Sequence, residues 1–160
     1  PYVASTFFAV DRFASYKMEW KSFYEGGGIV IADRYTTSNM VHQASKIDDA
    51  EEKDRFLQWL WDFEFNKFSL PVPDCVFFLD MPVEISSRLM EKRNNKINGQ
   101  EEKDIHEKDR VFLERSYKNA CFVAEKYKWE RIRCVRGETV RTIEEIHEEI
   151  YEKVINIIKK

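Results

Sequence analysis

Apolar residues recur at helical spacing through the first part of the chain. Between Val3 and Glu25 they fall at Phe7, Val10, Ala14 and Met18, then at Trp20, Phe23 and Tyr24. Phe8, Phe13 and Tyr16 lie off that stripe, so aromatic rings occupy more than one face. A helix apolar nearly all round is buried, or is shared between a core and a partner subunit. Gly26-Gly27-Gly28 ends it, because glycine accepts the positive φ that closes a helix. The period then changes. Ile29-Val30-Ile31-Ala32 is a continuous, largely β-branched run without alternation, which predicts a strand covered on both faces in a parallel α/β sheet. Asp33-Arg34-Tyr35 stands at its carboxyl end, where open parallel sheets bind ligands.

The remaining pattern alternates in the same way. A short helix is predicted near Thr37 to Ser45 and a longer one from Glu51 to Phe68, crowded with Phe56, Leu57, Trp59, Leu60, Trp61, Phe63 and Phe65. Leu70-Pro71-Val72-Pro73-Asp74 breaks the chain before a second buried strand, Cys75-Val76-Phe77-Phe78-Leu79. A helix opening at Pro82 and Glu84 reaches about Arg93, and Asn94 to Lys103 reads as a mobile polar loop around Gly99. A helix from Asp104 to Tyr127 follows, then the strand Ile132-Arg133-Cys134-Val135, the turn at Gly137 and a last helix capped by Thr142. Ile143, Ile146, Ile150, Val154 and Ile157 form one stripe on that helix. Strands alternating with helices predict an α/β fold with a parallel sheet, in one domain spanning residues 1–160.

Composition narrows the function classes. At 43% hydrophobic residues the chain can bury a core, and a net charge of -3 gives no general attraction to nucleic acid or anionic membrane. No apolar run approaches the roughly 18 residues of a membrane span. Cys75, Cys121 and Cys134 are odd in number and lie in apolar segments, so reduced core thiols in a cytoplasmic protein are expected. The chain begins at Pro1 and runs directly into a helical pattern, which suggests a start within a longer gene product.

Four segments together resemble the thymidylate kinase family of P-loop nucleoside monophosphate kinases. They are Phe7-Phe8-Ala9-Val10-Asp11-Arg12, Asp33-Arg34-Tyr35-Thr36-Thr37-Ser38, Pro73-Asp74 with Leu79-Asp80-Met81-Pro82, and a basic stretch with Arg88, Lys92 and Arg93 followed by Asp104. The resemblance implies a three-layer P-loop NTPase-type sheet with helices on both faces, and a lid near residues 88–108. It implies phosphoryl transfer from ATP to dTMP with Mg²⁺, in a cytoplasmic homodimer formed through the 3–25 helix, without nucleic acid or membrane partners. No G-x-x-x-x-G-K-[ST] loop occurs among the five glycines. The N-terminal strand-helix units of the family, roughly 60 residues, are therefore expected to be lacking. The chain by itself is then expected not to fold into an active enzyme.

The resemblance also implies roles. Arg34 would hold the acceptor phosphate, for which a planar guanidinium fork is suited. Asp33 would act on Mg²⁺ through water. Phe8 and Arg12, four apart on one helical face, would stack thymine and bond its O4 carbonyl. Ser38, His42 and Gln43 would lie along the nucleotide, and Arg88 and Arg93 would close over ATP as catalytic lid arginines. Bland readings stand beside these: Phe8 as core, Arg12 as an ion-paired side chain, His42 as a partly exposed helix histidine. His42 replaces the aromatic residue usual in the family and leaves sugar and base choice open. Tyr117 is assigned to packing and Asp80 to capping the following helix. A related monophosphate kinase, or a non-catalytic dimerisation or regulatory module, remains an alternative.

Overall fold

The protein is described from a computed structural model, which covers residues 1–97 and 103–159, with side chains for 1–90 and 110–159. The backbone forms two compact units, Pro1–Pro73 and Asp74–Lys160, with the boundary in the sequence falling in the proline-rich breaker. Mostly helical elements with short parallel and antiparallel sheets make it an α/β chain.

In the first unit, helix α1 (Tyr2–Ser15) continues through a π-helical turn (Tyr16–Trp20) into α2 (Lys21–Glu25). Tyr16, Trp20 and Tyr24 are each four apart along this stretch, on one side of the helix. Their rings follow one another at 4.6 and 6.0 Å. The buried face is Ser5, Ala9 and Tyr16, with Phe13 and Trp20 partly buried. The stripe read from the sequence as a possible core faces solvent instead: Phe7 and Val10 are exposed, and Met18 is 85% exposed. Gly27, at φ 86°, ends the helix as expected.

The predicted strand Ile29–Ala32 is not formed. Ile31 is 86% exposed, and no described segment pairs with this run. β-branched composition favours a strand but supplies only one side of a ladder; without a hydrogen-bonding neighbour the segment stays irregular. Beyond it, α3 (Thr36–His42) and a 3₁₀ turn (Ala44–Lys46) bury Met40, Ala44 and, just after, Ile47. Helix α4 (Ala50–Trp61) is capped by Asp49, whose carboxylate accepts from the Glu52 amide at 2.7 Å. Its Phe56, Leu57 and Leu60 are fully buried, and Tyr2 of α1 meets Phe56 and Trp59 edge-on. A second π-helical segment, Asp62–Lys67, follows α4.

In the second unit, β1 (Phe77–Asp80) precedes α5 (Val83–Ile97), α6 (Lys103–Lys126) and β2 (Glu130–Arg133), which pairs with β1 in parallel, Phe77 opposite Glu130. Strand β1 is less covered than its apolar sequence implies, with Leu79 exposed. Helix α5 runs to Ile97 and α6 starts at Lys103, so part of the expected loop is helical; the rest of it lies outside the described residues. Helix formation needs no apolar period, and Lys, Arg and Asn are tolerated in a helix. A hairpin the sequence reading missed, β3 (Val135–Arg136) and β4 (Thr139–Val140), turns at Gly137 with φ 60°. Helix α7 (Ile143–Ile158) carries the expected cap at Thr142, completed by Glu145 as a capping box.

Candidate functional site

One acidic side chain in the first unit links the helix of the first motif to the start of the helix that follows the second. Arg12, on α1, donates from Nε to Glu64 Oε2 at 2.7 Å and from Nη2 to Oε1 at 2.8 Å. Thr36, the first residue of α3, donates from Oγ1 to Oε2 at 2.7 Å. Glu64 is fully buried, in the π-helical segment, and its carboxylate is held by these three bonds. The bland reading of Arg12 as ion-paired is therefore correct for two of its nitrogens. Nη1 is left over, on a side chain 18% exposed. The guanidinium carbon also lies 5.9 Å from the centroid of the Tyr35 ring.

Tyr35 is fixed from the other end, its hydroxyl donating to the Pro71 carbonyl at 3.0 Å. Burial, followed by the Glu64 charge, pushes its phenol well above the ordinary range and keeps it neutral. Around it, Tyr16, Phe65 and Leu70 form a buried cluster flanked by Phe13, Trp20, Trp61 and Phe68. The apolar setting explains why the Arg12–Glu64 pair must be so fully bonded: a buried charge without partners is costly.

Phe8 is not core. Its ring is 50% exposed, one turn before Arg12 on the same helix. Asp33 and Arg34 are both exposed, at the end of an irregular segment rather than of a strand. Arg34 takes φ 73°, a left-handed conformation that L side chains adopt at a cost on the order of 1–3 kcal/mol. Its Nε donates to Ser38 Oγ at 3.1 Å, which orients the guanidinium one turn into α3. His42 is half-buried; burial first, then Arg34 and Lys46, lower its pKa and favour the neutral ring. Gln43 is buried and its Oε1 accepts from Lys46 Nζ at 3.0 Å, so that oxygen is engaged within the protein.

Asn39 was missed by the sequence reading. It is buried one turn before His42 and Gln43, and its Nδ2 has no hydrogen-bond partner among the described residues. Its neighbours Thr36, Thr37, Ser38 and His42 are polar too, so nothing in the sequence singles it out; only burial shows that the amide lacks a partner. Glu64 was also missed, because a glutamate among aromatics at helical spacing reads as a solvated position.

In the second unit, Asp80 does not cap the helix that follows, as expected from its place. Its carboxylate accepts from Tyr117 Oη at 2.8 Å and from Arg131 Nε at 2.8 Å, joining the end of β1 to α6 and β2. Tyr117 is thereby engaged within the unit, its phenol raised by burial and then by the Asp80 hydrogen bond. Arg88 is exposed on α5, and the side chains of Lys92, Arg93, Lys96 and Glu107 lie outside the described residues. Burial raises the pKa of Cys75 and Cys134, and all three cysteines are free, in keeping with inert thiols. Among the described residues, no group of three or more His, Cys, Asp or Glu side chains could hold a metal ion, and no helix is long and apolar enough to cross a membrane.

Comparison with known proteins shows the family. The family model for thymidylate kinase matches residues 1–150. A probable thymidylate kinase of Thermococcus gammatolerans is 34% identical over 143 residues, which are 89% of this chain and 59% of that protein. The thymidylate kinase of Fervidobacterium nodosum is 34% identical over 136 residues, 85% of this chain and 60% of its own length. That of Mycobacterium tuberculosis is 27% identical over 115 residues, 72% of this chain and 52% of that protein. The chain thus spans less than two thirds of the relatives it matches. Over most of its own length, the motifs and these matches agree: the chain belongs to the thymidylate kinase family.

Proposed function

We propose that the intact protein transfers a phosphoryl group from ATP to dTMP, giving dTDP. The observation that carries this reading is the Arg12–Glu64–Thr36 junction, which joins the helix bearing Phe8 and Arg12 to the helix entered through Asp33 and Arg34. Those are the two family motifs concerned with the acceptor nucleotide. The names of the relatives point the same way.

In this reading the exposed Phe8 ring stacks the pyrimidine, and Arg12 offers Nη1 to the O4 carbonyl. The unpartnered Asn39 amide supplies a further donor. Arg34, oriented by Ser38, grips the acceptor phosphate with its remaining nitrogens. His42 lies along the sugar as a neutral ring, and Gln43 supports α3 from within. Arg88 and Arg93 belong to a lid near 88–108 that closes over ATP and excludes water. Such catalysis is mainly positioning and charge neutralisation. A Mg²⁺ ion fits the exposed single carboxylate of Asp33 only through water, since magnesium keeps several waters and binds chiefly to substrate phosphates. When bound, it would neutralise charge on the transferring group.

The remaining expectations extend the same reading. The exposed seam Phe7, Val10 and Met18 suits a homodimer through α1, α2 and the π turn between them. The extended apolar run at 29–32 suits one strand of a three-layer parallel sheet completed in the intact protein, a single cytoplasmic domain. The test is an assay of the intact protein with ATP, Mg²⁺ and each nucleoside monophosphate. The highest kcat/KM is expected for dTMP, and Arg12→Ala should raise KM for dTMP while leaving that for ATP nearly unchanged. Faster turnover of dUMP or dCMP than of dTMP would overturn the assignment.

A further inference from the structure

We propose that Glu64 is a positioning residue of the acceptor-nucleotide site, acting through Arg12 and Thr36; the role rests on the functional reading above. A buried carboxylate is a costly choice in this place. Its neighbours in sequence, Phe63 and Phe65, belong to an aromatic cluster that an apolar side chain could fill equally well. What an apolar residue could not do is bond two helices at once.

Geometry defines the role. An arginine stem is flexible, and a single hydrogen bond would leave its guanidinium free to swing. The two parallel bonds from Nε and Nη2 fix both the plane and the direction of the fork. Only Nη1 is then left without a bond to Glu64, and ordering of the side chain precedes ligand binding rather than accompanying it. The third bond, from Thr36, ties the same carboxylate to the start of α3, two residues after Arg34. One acidic group therefore sets the spacing between the base-facing guanidinium and the phosphate-facing turn.

Glu64 is itself held firmly. Its carbonyl accepts from the Leu70 amide at 3.1 Å, across the end of the π-helical segment, and Leu70 is buried. Tyr35 lies against the Arg12 guanidinium and is anchored on Pro71, next to Leu70. The carboxylate and the ring that limit movement of Arg12 are thus both fastened near one short segment of chain.

The experiment is calorimetric titration of the intact protein, wild type and variants, with dTMP and separately with ATP. Glu64→Gln keeps the volume but loses the charge and one acceptor. It should weaken dTMP about ten-fold, the loss expected for a misaligned charge-assisted bond. ATP affinity should stay within about two-fold, and in an Arg12→Ala background the same change should add less than about two-fold for dTMP. Thr36→Val leaves the ion pair intact, so it gives a readout if Glu64→Gln does not fold; it should weaken dTMP about three-fold and spare ATP. Equal weakening of both ligands, unchanged dTMP affinity, or effects of Glu64→Gln and Arg12→Ala that multiply would overturn the positioning role. Wild-type protein that fails to bind dTMP would overturn the functional reading together with it. Wild-type binding with unchanged affinity in the variants would overturn the positioning role alone.

Discussion

Glu64 in the first unit and Asp80 in the second are each met by an arginine Nε and by a hydroxyl. Thr36 and Arg12 serve Glu64; Tyr117 and Arg131 serve Asp80. The difference lies in the arginines. Arg12 is 18% exposed and gives Glu64 two nitrogens, whereas Arg131 is 46% exposed, gives Asp80 one nitrogen and extends Nη2 to Cys121 Sγ at 3.6 Å. Water can solvate Arg131 when its partner is lost, but it reaches Arg12 poorly. Equivalent donor sets therefore have unequal weight, because solvent access decides what remains after one partner is removed.

Removing Glu64 is expected to have the largest effect on stability. Glu64→Leu should cost about 3–5 kcal/mol in urea denaturation, since it leaves a mostly buried guanidinium, 18% exposed, without its counterion. Adding Arg12→Met should recover much of that loss, because an apolar pair of similar volume suits the aromatic surroundings. Asp80→Asn should cost less, about 1–2 kcal/mol, with Arg131 free to turn to water. Equal costs at the two sites would show that exposure of the arginine is not what separates them.

The two tyrosines sharpen the comparison. Both phenols are raised above the ordinary value of 10.0, Tyr35 by burial and the nearby Glu64 charge, Tyr117 by burial and a direct bond to Asp80. A raised folded-state pKa contributes stability that is fully present below about pH 10 and is lost as pH rises through the folded value. Alkaline titration followed by phenolate absorbance should show both ionising after the exposed tyrosines. Asp80→Asn should lower Tyr117 more than Glu64→Gln lowers Tyr35, because only Tyr117 bonds its carboxylate directly. The reverse order would mean that burial alone governs both.

The smallest expected effect lies away from either carboxylate. Thr142→Ala removes the 3.1 Å bond to the Glu145 amide and should cost about 1 kcal/mol. Local capping is a few atoms wide and is legible in sequence; the carboxylate junctions are not. Thr142 could be assigned from its place before an apolar stripe, the helix from about Val3 from its periodicity, and the helix after β1 from Pro82 and Glu84 at its start. Asp80 carried the same kind of local signal for a cap and was misread, because Arg131 lies 51 positions further along the chain.

The sequence by itself determined the family, the order of helices and strands in outline, and the two motifs whose residues gather in the first unit. These depend on local spacing, and local spacing is written in the chain. Tertiary structure decided which face of α1 is buried, that Ile29–Ala32 has no strand partner among the described residues, and that Arg12 is bound to Glu64. A side chain's burial and its partner 52 positions away are properties of the packed chain. Charge patterning shows that Arg12 needs a counterion; only packing selects Glu64 as that counterion and ties the same carboxylate to Thr36.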